Sequence, residues 1–506
     1  MGWLLLTAGF GSAAPTPGGH AISRYYYISP DGNDDDTGQN LTHAWRTLAK
    51  ANKTTLKPGD RVVLQSGAEF TGNLAFDESV AGTPNNPIVI CSSGRERATI
   101  LSPDHPAIFA TAGGIQIRDL ILKGGATKKR EKHDGIAFFA SGANGEKYQH
   151  VRIENVEISG FGDSGIAIGS MNATRTGFED VRIARVSAHD NFGEGITTWD
   201  DAGDRASGYA HKNLYVGDCD VSGNFAGSGM VISGVDGGLV EYCRASGNTG
   251  PHGGVGLWAY ATRNVKFQFC IAEGTHSAGG DGGGFDLDGG CVDCLMENCL
   301  AYENEGPGFM HCDYPGAPPT QGNVMRRCVS INDGRKEKGD NIGFGFVTWG
   351  SGLDDCEIGG SLVVVTDSDP QKRDMAAFFV SYIVGSQDAK DKLHVHGCRF
   401  RNNLAIISGA GVAFVGNDMP NPTVADVLYE GNWFAADGTV TPDFGDGAKR
   451  YATLDEWRAA TGQETKDGES TARIDKPRLQ AIDRRDYRLS EPRRLPGYFL
   501  MKFLPK

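Results

Sequence analysis

Two features are missing from this 506-residue sequence, and each absence excludes a class of partner. No run of about 18 apolar residues occurs, which is the length that a membrane-spanning helix requires. Basic residues are outnumbered by acidic ones, 49 against 63, which gives a formal net charge of −14. Proteins that bind a nucleic-acid backbone usually have the opposite balance. We therefore expect no membrane partner and no nucleic-acid partner.

Glycine is the residue that the sequence has in excess. It accounts for 72 of the 506 residues, roughly twice its usual share of about 7%. Many of these glycines precede an apolar residue and a short β-rich segment, and they recur 24 to 35 residues apart. The leading glycines are Gly135, Gly165, Gly195, Gly229, Gly254, Gly284, Gly308 and Gly343. This periodicity indicates a solenoid of stacked structural repeats.

A column of cysteines is the second periodic feature. Stacked coils place equivalent side chains over one another at a spacing of about 4.8 Å. Because a free cysteine packs as a small hydrophobe, regular spacing predicts buried thiols rather than disulfides. The members are Cys219, Cys243, Cys270, Cys299 and Cys328, with Cys398 as a candidate continuation.

The repeats predict an all-β fold, a single-stranded, right-handed parallel β-helix. Three short strands per repeat and glycine corners fit this solenoid. Leucine-rich repeats would show a leucine consensus, and propeller blades would need about 40 residues each. We expect an N-terminal cap with a capping helix and the first coils in residues 24–106, the parallel β-helix in residues 107–435, and a C-terminal cap and tail in residues 436–506.

The first 23 residues are expected to be a signal peptide or leader. A short apolar stretch at residues 3–6 is followed by the small residues Ser12, Ala13 and Ala14, a pattern typical of a cleavage site. The basic segment that usually precedes such a stretch is missing, so a disordered N-terminus is the alternative. The leader predicts a secreted or periplasmic protein.

Paired carboxylates mark the candidate catalytic site, in the segment of residues 279–294. Asp286 and Asp288 are two residues apart on one predicted strand, so both should face outward, about 6.6 Å apart along the backbone. Asp313 follows the strand of the next coil. Two carboxyl groups can serve as acid and as base or nucleophile at a glycosidic bond, and their repulsion raises one pKa. A calcium site or solvated acids are the alternatives.

Aromatic and polar side chains on the same outer face predict a sugar-binding groove. The C–H faces of sugar rings stack on aromatic planes, and carboxylates accept hydrogen bonds from hydroxyl groups. Loops that cover the rings are the alternative. The predicted substrate-binding residues are Trp199, Asp200, His252, Trp258, Tyr260, Asp281, Tyr314 and Trp349.

The two ends of the chain resemble those of secreted β-helix carbohydrate-active enzymes, in the pectate-lyase-like superfamily. Residues 25–52, 56–74 and 82–90 resemble the opening of these enzymes, in which an amphipathic helix, here around residues 44–52, covers the first coil. Residues 451–464 and 486–490 resemble their C-terminal cap. The resemblance is specific for the fold, but it says little about the reaction.

A second resemblance concerns the candidate site itself. Residues 281–290 and 299–309 are similar to the calcium-dependent pectate lyases of β-helix fold that use a lysine base. Aligned on Gly284 and Phe285, the lysine position of that family is Asp288 here, and most of its calcium-binding acids are missing. A carboxylate at that position favours hydrolysis over β-elimination.

Three functions follow from these patterns. We expect an exported, monomeric glycoside hydrolase that cleaves a polysaccharide or oligosaccharide, with no metal ligands and no required cofactor. A polysaccharide lyase or uronan epimerase is the first alternative, which would use calcium and a loop base such as Arg205, Lys212 or Arg263. A non-catalytic glycan-binding β-helix is the second.

Overall fold

Parallel β-strands dominate the structure. The computed structural model describes residues 23–125, 133–201, 208–225, 227–251, 253–314, 316–335, 345–350, 352–365, 375–381, 395–407, 412–419, 422–436, 443–447, 449–475, 479–481 and 486–489. The predicted leader, residues 1–23, lies outside this range except for its last residue. The strands form three rows, and each coil contributes one strand to each row over most of the chain. The predicted right-handed parallel β-helix is confirmed.

The first row is a 14-stranded sheet that contains the glycine-led strands, and we call it the groove sheet. Its strands pair in parallel except the last, which is antiparallel. They are Leu74–Phe76, Ile108–Ala110, Ile136–Ala140, Ile166–Ser170, Ile196–Asp200, Met230–Ser233, Leu257–Tyr260, Phe285–Leu287, Phe309–Cys312, Phe346–Trp349, Met375–Ser381, Val412–Asn417, Phe444–Asp446 and Lys449–Tyr451.

The other two rows form one 25-stranded sheet, because two long strands run through both of them. The second row contains Tyr25–Ile28, Arg61–Leu64, Ile88–Ser92, Ile115–Lys123, Lys147–Ser159, Gly177–Ala184, His211–Gly217, Val235–Glu241, Arg263–Gln268, Leu295–Glu297, Val324–Arg326, Glu357–Gly359, Cys398–Arg401 and Val427–Glu430. The third row contains Glu69–Thr71, Ala98–Leu101, Ser187–His189, Asp220–Ser222, Arg244–Ser246, Ile271–Glu273, Leu300–Tyr302, Val329–Ile331, Leu362–Val365, Leu404–Ile407 and Trp433–Ala436.

Short strands form small additional sheets at the turns and at the C-terminal end. They are Thr249–Gly250 with His276–Ser277, the series Thr320–Gln321, Leu353–Asp354 and Val395–His396, and the pairs Thr465–Lys466 with Glu469–Ser470 and Leu479–Ala481 with Asp486–Leu489.

Two helices cover the ends of the core, and the N-terminal one is the predicted capping helix. The N-terminal helix spans Leu48–Asn52 after a 3-10 turn at Leu41–His43, and it starts later than expected because Thr47 caps it by accepting a hydrogen bond from the Lys50 N–H. At the other end, Trp457 of the helix Leu454–Thr461 stacks on a core phenylalanine, with ring centroids 5.3 Å apart. No helix in the described part of the chain is long and apolar enough to cross a membrane.

The cysteine column is confirmed, with one correction. Its five thiols are free and buried in the core, each after a residue with a left-handed backbone, such as Asp218 at φ 53°. Cys398 does not continue this column. The register aligns it with Cys356, and both residues lie where strands of the second row begin. After Cys328 the column continues instead through buried Ser361 and Asn403, which accept hydrogen bonds from successive backbone N–H groups.

Buried asparagines form a second ladder, at the turn that leads into the groove sheet. Asn191 donates from Nδ2 to the Oδ1 of Asn224 at 3.2 Å, and Asn224 donates to Asn248 at 3.0 Å. Two coils further on, Asn304 donates to Asp333 at 2.7 Å. Each ladder amide also bonds to backbone groups, so these buried polar side chains are satisfied.

Asp333 makes the stability of the fold depend on pH. Burial raises the pKa of its carboxyl from 3.8 to about 7, although Ser330 and Asn304 donate hydrogen bonds to it. The folded state therefore holds a proton that the unfolded chain releases near pH 4. This contribution to stability is complete below pH 4 and is lost as the pH rises through about 7.

We expect Asp333→Asn to flatten the dependence of stability on pH, because an amide continues the asparagine ladder without titrating. The difference in the free energy of unfolding between the variant and the parent should change by on the order of 4 kcal/mol between pH 4 and pH 7. Urea unfolding across this range measures it. Asp293→Asn, at an exposed position, is the control. Parallel curves for Asp333→Asn and the parent would contradict the burial of a titrating carboxyl.

Candidate functional site

The groove sheet sets which side chains can meet at the candidate site. Phe285 is in register with Leu257 and Phe309, and all three are buried in the core. The next residue of each strand points to the opposite face, so Trp258, Asp286 and Met310 form an outer row.

Close packing explains why a glycine precedes these strands. A Cβ atom on Gly284 would lie 2.8 Å from the Gly308 carbonyl oxygen and 2.9 Å from the Asn304 amide nitrogen. Two details of the predicted register are wrong. Leu257 is in register with Phe285, so Gly256 leads that strand rather than Gly254. Phe346 is in register with Phe309, so Gly345 leads that strand rather than Gly343. Each slip is two residues, and therefore Trp258 stays on the outer face.

Asp286 lies on the outer face but is not exposed, contrary to our expectation. Its side chain is only 3% exposed between its register neighbours Trp258 and Met310, and no group in the described residues bonds to its Oδ1. Burial raises the pKa of Asp286 well above its usual value, and the negative charges of Asp288 and Asp281 raise it further. This setting favours the protonated form of the Asp286 carboxyl group.

Asp288 is half-buried and receives two donors that Asp286 lacks. The Gly289 N–H donates to its Oδ1 at 2.6 Å, and the thiol of Cys312 donates from the next coil. Burial raises the pKa of Asp288, and both donors oppose that rise. Oxygens of Asp286 and Asp288 and the Cys312 sulfur lie within 4.8 Å of one another. Sequence reasoning missed Cys312, although its outward position next to Asp313 was the available signal.

Two further acids lie next to this pair, one on each side. Asp281 precedes the strand, has a left-handed backbone at φ 51°, and is half-buried. Asp313 follows the next strand and is buried, with its Oδ1 accepting from the Tyr314 N–H at 2.7 Å. Burial raises the pKa of Asp313 to about 7, and the charge of Asp288 contributes to the rise.

Three of the predicted aromatic residues lie beside the acids. Trp258 is half-buried and donates from Nε1 to the Ser228 hydroxyl at 2.8 Å, which fixes its ring. The rings of Tyr260 and Tyr314 stack at 6.5 Å on the side of Asp288, and Tyr314 is 36% exposed. These rings form apolar walls around the carboxyl groups.

The other predicted binding residues are placed less favourably. Trp199 lies three strands away, roughly 14 Å along the solenoid axis, where its ring packs over Gly169 and against Phe139. The Asp200 side chain is fully buried in an ion pair with Arg175 at 2.8 Å, so it does not face a substrate. Trp349 packs on an outer apolar cluster. His252 lies outside the described residues.

The carboxyl cluster does not match a calcium site. Calcium takes six to eight oxygen ligands, whereas among the described residues the one group that could hold a metal is Asp286, Asp288 and Cys312. Burial and the two carboxylates raise the pKa of the Cys312 thiol well above its usual value. A protonated thiol donates to Asp288 rather than binding a cation, so we derive no step through calcium.

Comparisons with known proteins place the fold among carbohydrate-active enzymes. No protein-family model matches the chain. It is 28% identical over 298 residues to pectate lyase L of Paenibacillus polymyxa, covering 57% of this chain and 60% of that protein. It is 33% identical over 90 residues to lacto-N-biosidase of Bifidobacterium longum, covering 17% of this chain and 5% of the relative. The chain thus spans about 60% of the pectate lyase and far less of the biosidase.

A solved structure supports the same fold. The GH136 lacto-N-biosidase from Eubacterium ramulus superimposes with a TM-score of 0.53 at 18% identity, over 71% of this chain and 67% of that one. At this level of identity the match concerns the architecture alone.

We expect Asp286→Asn to stabilise the protein at pH 7. The parent must bind a proton at Asp286 on folding or bury its charge, and an amide of the same shape avoids both costs. Because the pKa of Asp286 is raised in the folded state, the gain should shrink towards about pH 3, where the unfolded chain also holds the proton. Thermal midpoints at the two pH values measure this, with Asp293→Asn as control. A lower midpoint at pH 7 would contradict the placement of Asp286.

Proposed function

We propose that this chain is an exported glycoside hydrolase that uses the carboxyl cluster of the groove sheet. The observation that carries the proposal is the close pair Asp286 and Asp288 on the outer face, where burial raises both pKa values. Such a site holds a neutral acid beside a carboxylate at the same pH, which is the combination that glycoside hydrolysis needs.

The hydrogen bonds suggest different roles for the two groups. Asp288 accepts from the Gly289 N–H and the Cys312 thiol, which favour its charged form, so it is the carboxylate that attacks the anomeric carbon. The leaving oxygen takes its proton from a neutral carboxyl group. The raised pKa favours Asp286 as that donor, and the greater exposure of Asp281 favours Asp281. Water then releases the sugar from Asp288 and returns the proton to the donor.

The short separation supports retention of anomeric configuration. Oxygens of Asp286 and Asp288 lie within 4.8 Å of each other. Retaining enzymes place their carboxyl groups about 5–5.5 Å apart, whereas inverting enzymes need about 6.5–9.5 Å to fit a water molecule between substrate and base. With Asp286 as the proton donor, the product should therefore keep the configuration of the substrate.

A polysaccharide lyase is the second candidate, favoured by the sequence identity to a pectate lyase over 298 residues. β-Elimination needs a base of the lysine or arginine type at the carbon acid. Within the described strands of the groove sheet up to Val412–Asn417, no lysine or arginine occurs. Of the suggested loop bases, Lys212 and Arg263 lie in the second row, where Arg263 pairs with Asp236 at 2.6 Å. Arg205 lies outside the described residues.

We expect Asp288→Asn to lower kcat/KM by about two orders of magnitude or more, the usual scale for a lost catalytic carboxyl group. A panel of neutral and uronate-containing glycans, assayed for reducing ends and for ultraviolet-absorbing unsaturated products, identifies the substrate and separates the two reactions. Asp293→Asn, in the same coil, should leave activity unchanged. Unsaturated products, or full activity of Asp288→Asn, would contradict the proposal.

Asp281→Asn and Asp286→Asn identify the proton donor. Loss of the donor should spare an aryl glycoside with a good leaving group, because such a group departs without protonation. The variant that loses activity on the natural substrate and keeps it on the aryl glycoside lacks the acid. Equal losses on both substrates for both variants would contradict the assignment of either group as acid.

We expect Cys312→Ala to move the acidic limb of the kcat/KM profile to higher pH. Without the thiol donor the pKa of Asp288 rises, and its charged form appears only at higher pH. Cys312→Ser keeps a donor and should restore the parent profile. A uniform drop in rate without a shift of the limb would assign Cys312 to packing alone.

A further inference from the structure

A cavity of about 430 Å³ opens at the turns that lead into the groove sheet, and we call it the flank cavity. Four successive coils line it, so it extends over roughly 14 Å along the solenoid axis. Its floor is the short parallel pair of Thr249–Gly250 with His276–Ser277. The lining residues are Phe225, Thr249, Gly250, Pro251, His276, Ser277, Ala278 and Glu305.

The lining combines one exposed aromatic ring with a fixed polar pair. Phe225 is 48% exposed, and its ring is held against Phe192 with centroids 5.4 Å apart. Glu305 accepts from the Ser277 N–H at 2.7 Å and lies 3.1 Å from Nδ1 of His276. A flat apolar surface beside anchored donors and acceptors is what a sugar ring requires.

The flank cavity lies next to the loop that carries Asp281. The coils that line it continue directly into the strands that carry Trp258, Asp286 and Cys312. The Ser277 hydroxyl donates to the Gly280 carbonyl, which ties the cavity wall to the loop that carries Asp281. A glycan bound across Asp288 would therefore extend into the cavity on the Asp281 side.

The local charge selects against acidic sugars. Glu305 lies in the cavity and Asp281 at its edge, and among the lining residues the one basic side chain is His276, which faces Glu305. A uronate carboxylate would meet like charges, and the described lining residues include no lysine or arginine to compensate them.

We propose that the flank cavity is a subsite for a neutral sugar residue, stacked on Phe225 and hydrogen-bonded by His276 and Glu305. The inference rests on the proposed function, since it places this sugar on the Asp281 side of the bond that Asp288 attacks. It assigns a specificity for neutral over uronate residues to side chains outside the carboxyl cluster.

Binding to an array of neutral oligosaccharides and oligogalacturonates tests the subsite without catalysis. The Asp288→Asn protein should bind neutral glycans, and adding Phe225→Ala or His276→Ala should weaken that binding by about tenfold, the scale of a lost stacking contact. Adding Tyr242→Ala removes an equally exposed aromatic (48%) at the turn between the other two rows, so affinity should stay unchanged.

The outcomes separate the subsite from the proposed function. Binding that depends on Phe225, in a protein whose parent hydrolyses nothing, supports the subsite and contradicts the hydrolase. Three results would overturn the subsite: no glycan bound, equal binding with and without Phe225, or a preference for oligogalacturonates.

Discussion

In-register stacking of the coils is the constraint on which the rest of this structure depends. Each strand bonds to its equivalents in the coils on either side, so its inward and outward faces are fixed by its neighbours. Phe285 belongs to a ladder of core phenylalanines with centroids 4.8 and 4.9 Å apart. Once that ladder forms, Asp286 has to point outward, and the following outward position falls to Asp288.

The same stacking explains why the acidic side chains of the site destabilise the fold. Coils about 4.8 Å apart leave little room between outer side chains, so neighbours exclude water from Asp286. Burial and the charges of Asp288 and Asp281 raise the pKa of Asp286, so its charged form is unfavourable in the fold and its protonated form is a candidate acid. The long and regular apolar core offsets this destabilisation. The buried ladders of cysteine and asparagine further stabilise the turns between strands.

Local patterns in the sequence predicted the fold, because the solenoid repeats them. Glycine spacing and alternation predicted the groove sheet, and cysteine spacing predicted the buried thiols, since each coil repeats the same local pattern. The slip at Gly254 arose because Gly254 and Gly256 both precede an apolar residue, and only the pairing of Leu257 with Phe285 decides between them.

The sequence patterns did not predict the side-chain contacts between coils. The burial of Asp286 depends on Trp258 and Met310, which come from the coils on either side. Arg175 removes Asp200 from the groove through an ion pair that no spacing rule indicates. The donor role of Cys312 and the flank cavity at Phe225 likewise appear only when the coils are stacked.

The protonation state of Asp286 is the most direct test of this view of the site. Carbon-13 NMR of protein labelled at aspartate carboxyl groups reports each titration, and comparison with Asp286→Asn identifies the signal of this residue. We predict a carboxyl signal that remains protonated at pH 7 in the parent and is missing from the variant. A signal for Asp286 that titrates near pH 4, as for an exposed carboxylate, would contradict the buried proton on which the proposed chemistry depends.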